Sequence, residues 1–188
     1  MAEFTPSQTV GPFFSMALAH PEENVLVSAA AEGRIRLEGT VYDGDGAHVE
    51  DALLEIWQAD QGGRYRHPDD LATADGDFTG FGRASTDFET GRYWFETVKP
   101  GPVPDPEGEL QAPHISVVVQ GRGMLNPLFT RVYFADESEA NERDLVLGMV
   151  PPERRHTLLA QPVDGGDHPT YRFDIRLQGG DETVFFHF

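Results

Sequence analysis

The sequence predicts an all-β chain, a β-sandwich with few short helices and an extended N-terminal arm. Three observations carry that prediction. Several short stretches alternate apolar and polar residues with a period of two. Clusters of Gly, Pro and Asp separate those stretches. Helical periodicity is thin, which leaves packed sheets as the way to bury the apolar faces.

Taken in order, residues 1–33 show no clear period. Thr5-Pro6-Ser7-Gln8-Thr9-Val10-Gly11-Pro12-Phe13-Phe14 mixes turn formers with apolar side chains, the composition of an arm that packs on something else. Residues 1–33 are therefore expected to lie on a partner subunit, and residues 34–188 to form the sandwich. Ile35, Leu37 and Val41 alternate with polar neighbours and read as the first strand. Asp43-Gly44-Asp45-Gly46 supplies a tight turn between the first two strands. Further strands are expected over 53–59, 91–97, 115–120, 130–134 and 183–188. Another is expected where Tyr171, Phe173, Ile175 and Leu177 alternate with Arg172, Asp174 and Arg176. Short helices are expected over 138–147 and from Pro151-Pro152-Glu153, where Pro and an acid suit a first turn.

The chain has 188 residues, long enough for one substantial core, and 39% of them are hydrophobic, which separates it from disordered chains. A formal charge of -18 repels phosphate backbones and anionic headgroups, so nucleic acid and membrane surfaces are poor partners. The absence of Cys excludes disulfides, thiolate metal sites and thiol nucleophiles. No apolar run is long enough to span a bilayer, and Met1-Ala2-Glu3-Phe4 lacks a basic start, so a cytoplasmic location is expected. In so acidic a chain, each isolated Arg is a candidate for receiving an anionic ligand.

Three blocks hold the candidate chemistry: Trp57-Gln58-Ala59-Asp60-Gln61-Gly62-Gly63-Arg64-Tyr65-Arg66-His67, Lys99-Pro100-Gly101-Pro102-Val103-Pro104, and Ala112-Pro113-His114-Ile115-Ser116. In this order they resemble the intradiol ring-cleaving dioxygenases. That family binds ferric iron through two Tyr and two His: a Tyr after Gly-Arg, a Tyr after Pro-Gly-Pro, and a His-x-His pair. Residues two apart on a strand share a face, so such a pair can reach one metal. Tyr65 matches the first ligand and His114 the third. Val103 stands at the second position and Ser116 at the fourth. Valine has no donor atom and a neutral hydroxyl is a poor substitute for imidazole, so no catalytic iron is expected on this chain.

The same resemblance extends to Thr5–Pro12, to Thr130-Arg131-Val132-Tyr133-Phe134 and to the blocks 171–179 and 182–186. With half the ligand set gone, the chain looks like the non-iron α subunits of the heteromeric, protocatechuate-cleaving branch. Where catalytic chains carry an Arg before the His pair, this chain has Gln111. The resemblance implies an Fe(III) held by a partner β subunit, protocatechuate and O2 as substrates, and association into larger hetero-oligomers. It also implies that Arg131, Thr9, Gly11 and Pro12 contribute to substrate binding in the partner's site. Tyr65 and His114 are then expected to be hydrogen-bonded in a filled pocket, and His67 to be no ligand. The alternatives are a stand-alone sandwich binding small aromatic acids or a protein, and a single-chain enzyme with an altered iron set.

Overall fold

The computed structural model describes residues 8–11, 17–67, 78–164 and 168–187. The described strands are β1 (Arg34–Tyr42), β2 (Ala52–Gln58), β3 (Phe81–Ser85), β4 (Arg92–Val98), β5 (Val103–Pro104), β6 (Leu110–Gln111), β7 (His114–Gly121), β8 (Leu128–Phe134), β9 (Leu159–Val163), β10 (Thr170–Arg172) and β11 (Ile175–Arg176). Helices α1 (Ser138–Arg143) and α2 (Leu145–Met149) and a 3-10 helix (Pro152–Leu158) lie between β8 and β9. The fold is all-β, as expected.

One face of the sandwich is built from β1, β4 and β10, and the other from β2, β3, β7 and β8. Strand β9 joins them, pairing parallel to β8 through Leu159 and Ala160, then antiparallel to β10 through Gln161 to Val163. Alternation in β1 and β7 sends Leu37, Val41, Ile115, Val117 and Val119 inward to meet Phe95, Leu54, Ile56, Val132 and Tyr171 in one core. The two faces are also tied by a buried polar link. Gln58 donates to the Val98 carbonyl at 2.9 Å and accepts from the Thr97 hydroxyl at 2.8 Å.

Several expectations need correction. The turn after β1 forms as expected, with Asp43 Oδ1 accepting from the Asp45 and Ala47 amides, and it brings Tyr42 to a bridge with His48. The strand expected across 171–177 is two strands. Gly39 explains the break: a Cβ there would lie 1.8 Å from the Phe173 carbonyl, so the chains approach too closely for a continuous ladder, and Asp174 instead accepts the Thr40 amide. No strand forms over 183–187, where a single bridge joins Phe186 to Phe129; residue 188 lies outside the described residues. The helix expected over 138–147 is two helices, interrupted where Asp144 takes extended backbone and caps the second by accepting the Leu147 amide.

A second, smaller core of Ala112, Tyr133, Leu147, Val150 and Leu158 lies on the outer side of β7 and β8, under the helices. Within 1–33, Val25 bridges to Glu96 and Leu26 packs on the main core.

Candidate functional site

Strands β2, β7 and β8 place Trp57, Ser116 and Arg131 side by side, since Trp57 pairs in register with Ser116 and Ser116 with Arg131. Two residues along, His114 pairs with Tyr133. Directly opposed residues share a face, so all five face outward from the main core. Tyr65 joins them by stacking on Trp57, with ring centroids 5.8 Å apart.

The loop that delivers Tyr65 is shaped by Asp60, whose Oδ1 accepts the Gly62 and Arg64 amides while its carbonyl accepts the Gly101 amide. Gly63 has φ 74°, and a Cβ there would sit 2.1 Å from the Pro102 carbonyl. Only glycine allows the Tyr65 loop to close on the Pro100–Val103 segment. Val103 on β5 pairs with Gln111 on β6, and Gln111 Oε1 accepts from Arg131 Nη1 at 2.9 Å. Of the four expected ligand positions, Ser116 thus lies directly across from Arg131, and Val103 is linked to it only through Gln111.

Beneath them lies a hydrogen-bonded chain. Arg131 Nη1 approaches the Tyr133 hydroxyl at 3.5 Å, and that hydroxyl donates to Asp144 Oδ1 at 3.0 Å. Asp144 Oδ2 accepts the Ala112 amide at 2.8 Å, and the Ala112 carbonyl faces His114 Nδ1 at 2.8 Å. A carbonyl has no proton to give, so Nδ1 carries the hydrogen and the Nε2 lone pair is left outward. Burial lowers the His114 pKa to about 4, and the Arg131 guanidinium adds to that shift. Burial also pushes the Tyr65 phenol up, opposed by Arg131. Burial raises Tyr133 too, with Asp144 acting in the same direction.

These donors do not fit a ferric ion. Val103 offers none, Ser116 offers a neutral hydroxyl, and burial favours the protonated form of Tyr65. Among the described residues no group of three or more His, Asp or Glu side chains is placed to hold a metal. His67 is exposed.

Arg131 is half-buried, and among the described residues its polar contacts are neutral: Gln111 and Tyr133. An ion pair inside the sheet does not explain it. The arm lies elsewhere. Thr9 Oγ1 accepts the Gly123 amide at 2.9 Å and donates to the Gly121 carbonyl at 3.3 Å. Gly121 is five residues along β7 from Ser116, roughly 17 Å at strand rise. Gly11 is exposed, and Pro12 lies outside the described residues. Within one chain, Thr9 and Arg131 do not meet.

Sequence reasoning assigned no role to Tyr133, Asp144 or Trp57. Asp144 had a readable signal, an Asp directly before Leu-Val-Leu in cap position. Trp57 and Tyr133 acquire their place only through strand register.

A family model described as dioxygenase matches residues 10–179. The protocatechuate 3,4-dioxygenase alpha chain of Burkholderia cepacia is 45% identical over 97% of this chain and 96% of its own length. The beta chain from the same organism is 35% identical over 80% of this chain and 66% of its own length. Among solved structures, the dioxygenase domain of a carbohydrate-binding fusion from Streptomyces sp. SirexAA-E superposes with a TM-score of 0.63 at 27% identity, covering 95% of this chain and all of that one. Both the end-to-end match and the shared fold place the chain in the intradiol dioxygenase family, with the alpha chains as its nearer kin than the beta chain.

Proposed function

We propose that this chain is the non-iron α subunit of a heteromeric protocatechuate 3,4-dioxygenase. The observation that carries the reading is an ordered frame around a broken ligand set: His114 stays on a three-strand face and Tyr65 stacks on Trp57 of that face, while Val103 and Ser116 supply no ligand of the required kind. The Fe(III) then belongs to a β subunit. With it, the complex adds O2 to protocatechuate and breaks the bond between the two hydroxyl-bearing carbons. Both oxygen atoms enter the product, 3-carboxy-cis,cis-muconate.

This chain's part is recognition and closure. Arg131 receives the substrate's carboxylate, a role suited to a guanidinium that has no carboxylate partner among the described residues. Thr9, Gly11 and Pro12 belong to the arm, residues 1–33; Val25 and Leu26 hold its later part on this chain's own sandwich, and the stretch before them packs on the partner and covers its pocket, excluding water. Thr9 and Arg131 lie well apart here, so they would serve that pocket from two sides or in separate copies of the assembly. Exposed Leu110 and Leu145 line a groove of about 530 Å3 with Pro102 and Gln111, apolar surface that suits subunit contact and further hetero-oligomers. No helix among the described residues is long and apolar enough to cross a membrane. A cytoplasmic location completes the proposal.

The test is to purify the chain alone and with a β-type partner, then measure iron, tyrosinate-to-iron colour and protocatechuate-dependent oxygen uptake. Activity and colour are expected only with the partner. Stoichiometric iron and turnover in the lone chain would overturn the reading.

A further inference from the structure

The decayed ligand cluster keeps more than its family resemblance. His114 still turns Nδ1–H onto the Ala112 carbonyl, the second contact that orients an imidazole for metal binding through Nε2. Tyr65 is still delivered by the loop that Asp60 and Gly63 shape. Loss of two donors removes affinity, but nothing in that loss accounts for the cation now standing among the remaining ones.

Arg131 is the direct cross-strand partner of Ser116, the fourth ligand position. Its guanidinium is steered by Gln111, the register partner of Val103 at the second position. It also approaches Tyr133, whose ring lies 5.9 Å from that of His114. One fixed positive charge therefore lies directly across from the fourth position and is held by the register partner of the second; its two hydrogen-bond partners are neutral, and the Asp144 carboxylate lies beyond the Tyr133 hydroxyl.

We propose that Arg131 has taken the metal's place as the positive charge of this cluster and keeps metal cations out of it. The physical reason is direct: two cations a few ångströms apart in a half-buried site repel, and fewer deprotonated donors remain to offset them. This inference rests on the family reading for which positions were ligands. It goes beyond the missing donors, because it says that restoring them is not enough.

The experiment restores the ligand set in the complex. With Val103→Tyr and Ser116→His in this chain, iron content is expected to stay at the level of the parent complex. Adding Arg131→Gln is expected to raise it by roughly one iron per pair, with matching growth of the ferric-tyrosinate absorption. Arg131→Lys in the same background is expected to stay at the parent level, since it keeps the charge. Uptake by the double variant alone would overturn the proposal, as would no gain from Arg131→Gln in a complex of unchanged size. The parent complex's own iron tests the companion reading separately, because the increment and the baseline are independent readouts.

Discussion

Arg131 on β8 lies directly across the ladder from Ser116 on β7, so a guanidinium faces the spot where the family places its last iron ligand. The sequence singles out each residue separately; only register joins them. The guanidinium is half-buried, and neither of its direct contacts among the described residues, Gln111 and Tyr133, is a carboxylate. A carboxylate is the natural complement. In the complex, Arg131→Ala is expected to raise the KM for protocatechuate with iron content unchanged. Loss of one charge-assisted contact, about 1.5–3 kcal/mol, corresponds to roughly ten- to hundredfold. Oxygen-uptake kinetics and iron assay check it. An unchanged KM removes Arg131 from substrate binding, and lost iron assigns it a structural role.

Asp144 is the point on which the cluster's frame depends. It is 2% exposed, and its carboxylate accepts from the Tyr133 hydroxyl, the Ala112 amide and the Leu147 amide. Asp144→Ala leaves all three donors without that acceptor in a buried place and removes a helix cap. The expected cost is about 3 kcal/mol or more, or roughly 6–12 °C in Tm for a chain of this size. Denaturant and thermal unfolding would measure it. A loss below about 1 kcal/mol would mean that water reaches these donors and that the network is not what holds Ala112, and with it His114, in place.

The strands that could be read in advance are those whose inward residues are large. β1 and β7 turn Leu37, Val41, Ile115 and Val117 inward, and their period of two is plain. β3 was missed because its inward residues are Gly82 and Ala84, too small to register as an apolar face. β9 carries Pro162, which argues against a strand, and its pairing with both halves of the sandwich is a tertiary fact. The segment 183–187 misled in the other direction. Val184 and Phe186 bury against the Ala112–Tyr133 core without a ladder, so apolar content there signals packing rather than pairing. The ligand positions were legible through the resemblance of their blocks to the family's motifs, and spacing along a strand explains only why His114 and Ser116 share a face. The chain from Arg131 through Tyr133 and Asp144 to Ala112 was not, because its members meet only once β8 and α2 are in place. A surface on another subunit, which the arm is proposed to need, is written in another sequence.

The acid behaviour of the fold should report on His114. Its side chain is buried against the Ala112 carbonyl beside Arg131, and its pKa falls from 6.5 to about 4. In the unfolded chain it takes up a proton near 6.5; in the folded chain it does so only near 4. Between those values the unfolded state binds more protons, so stability rises with pH across the window and is lost as pH falls through it. The full effect is roughly 3 kcal/mol, present above about pH 6.5 and gone below about pH 4. Urea unfolding at pH 7, 5.5 and 4.5 is expected to show this decline for the parent chain. His114→Gln, which cannot titrate, should be less stable at pH 7 for want of the imidazole contact yet flatter across the same range. Other groups contribute to the total, and the variant removes only His114's share, so the difference between the two curves isolates it. Parallel curves would mean that His114 is protonated in the fold at the same pH as in the unfolded chain, against the lowering by burial and the Arg131 guanidinium that outweighs the Ala112 carbonyl contact.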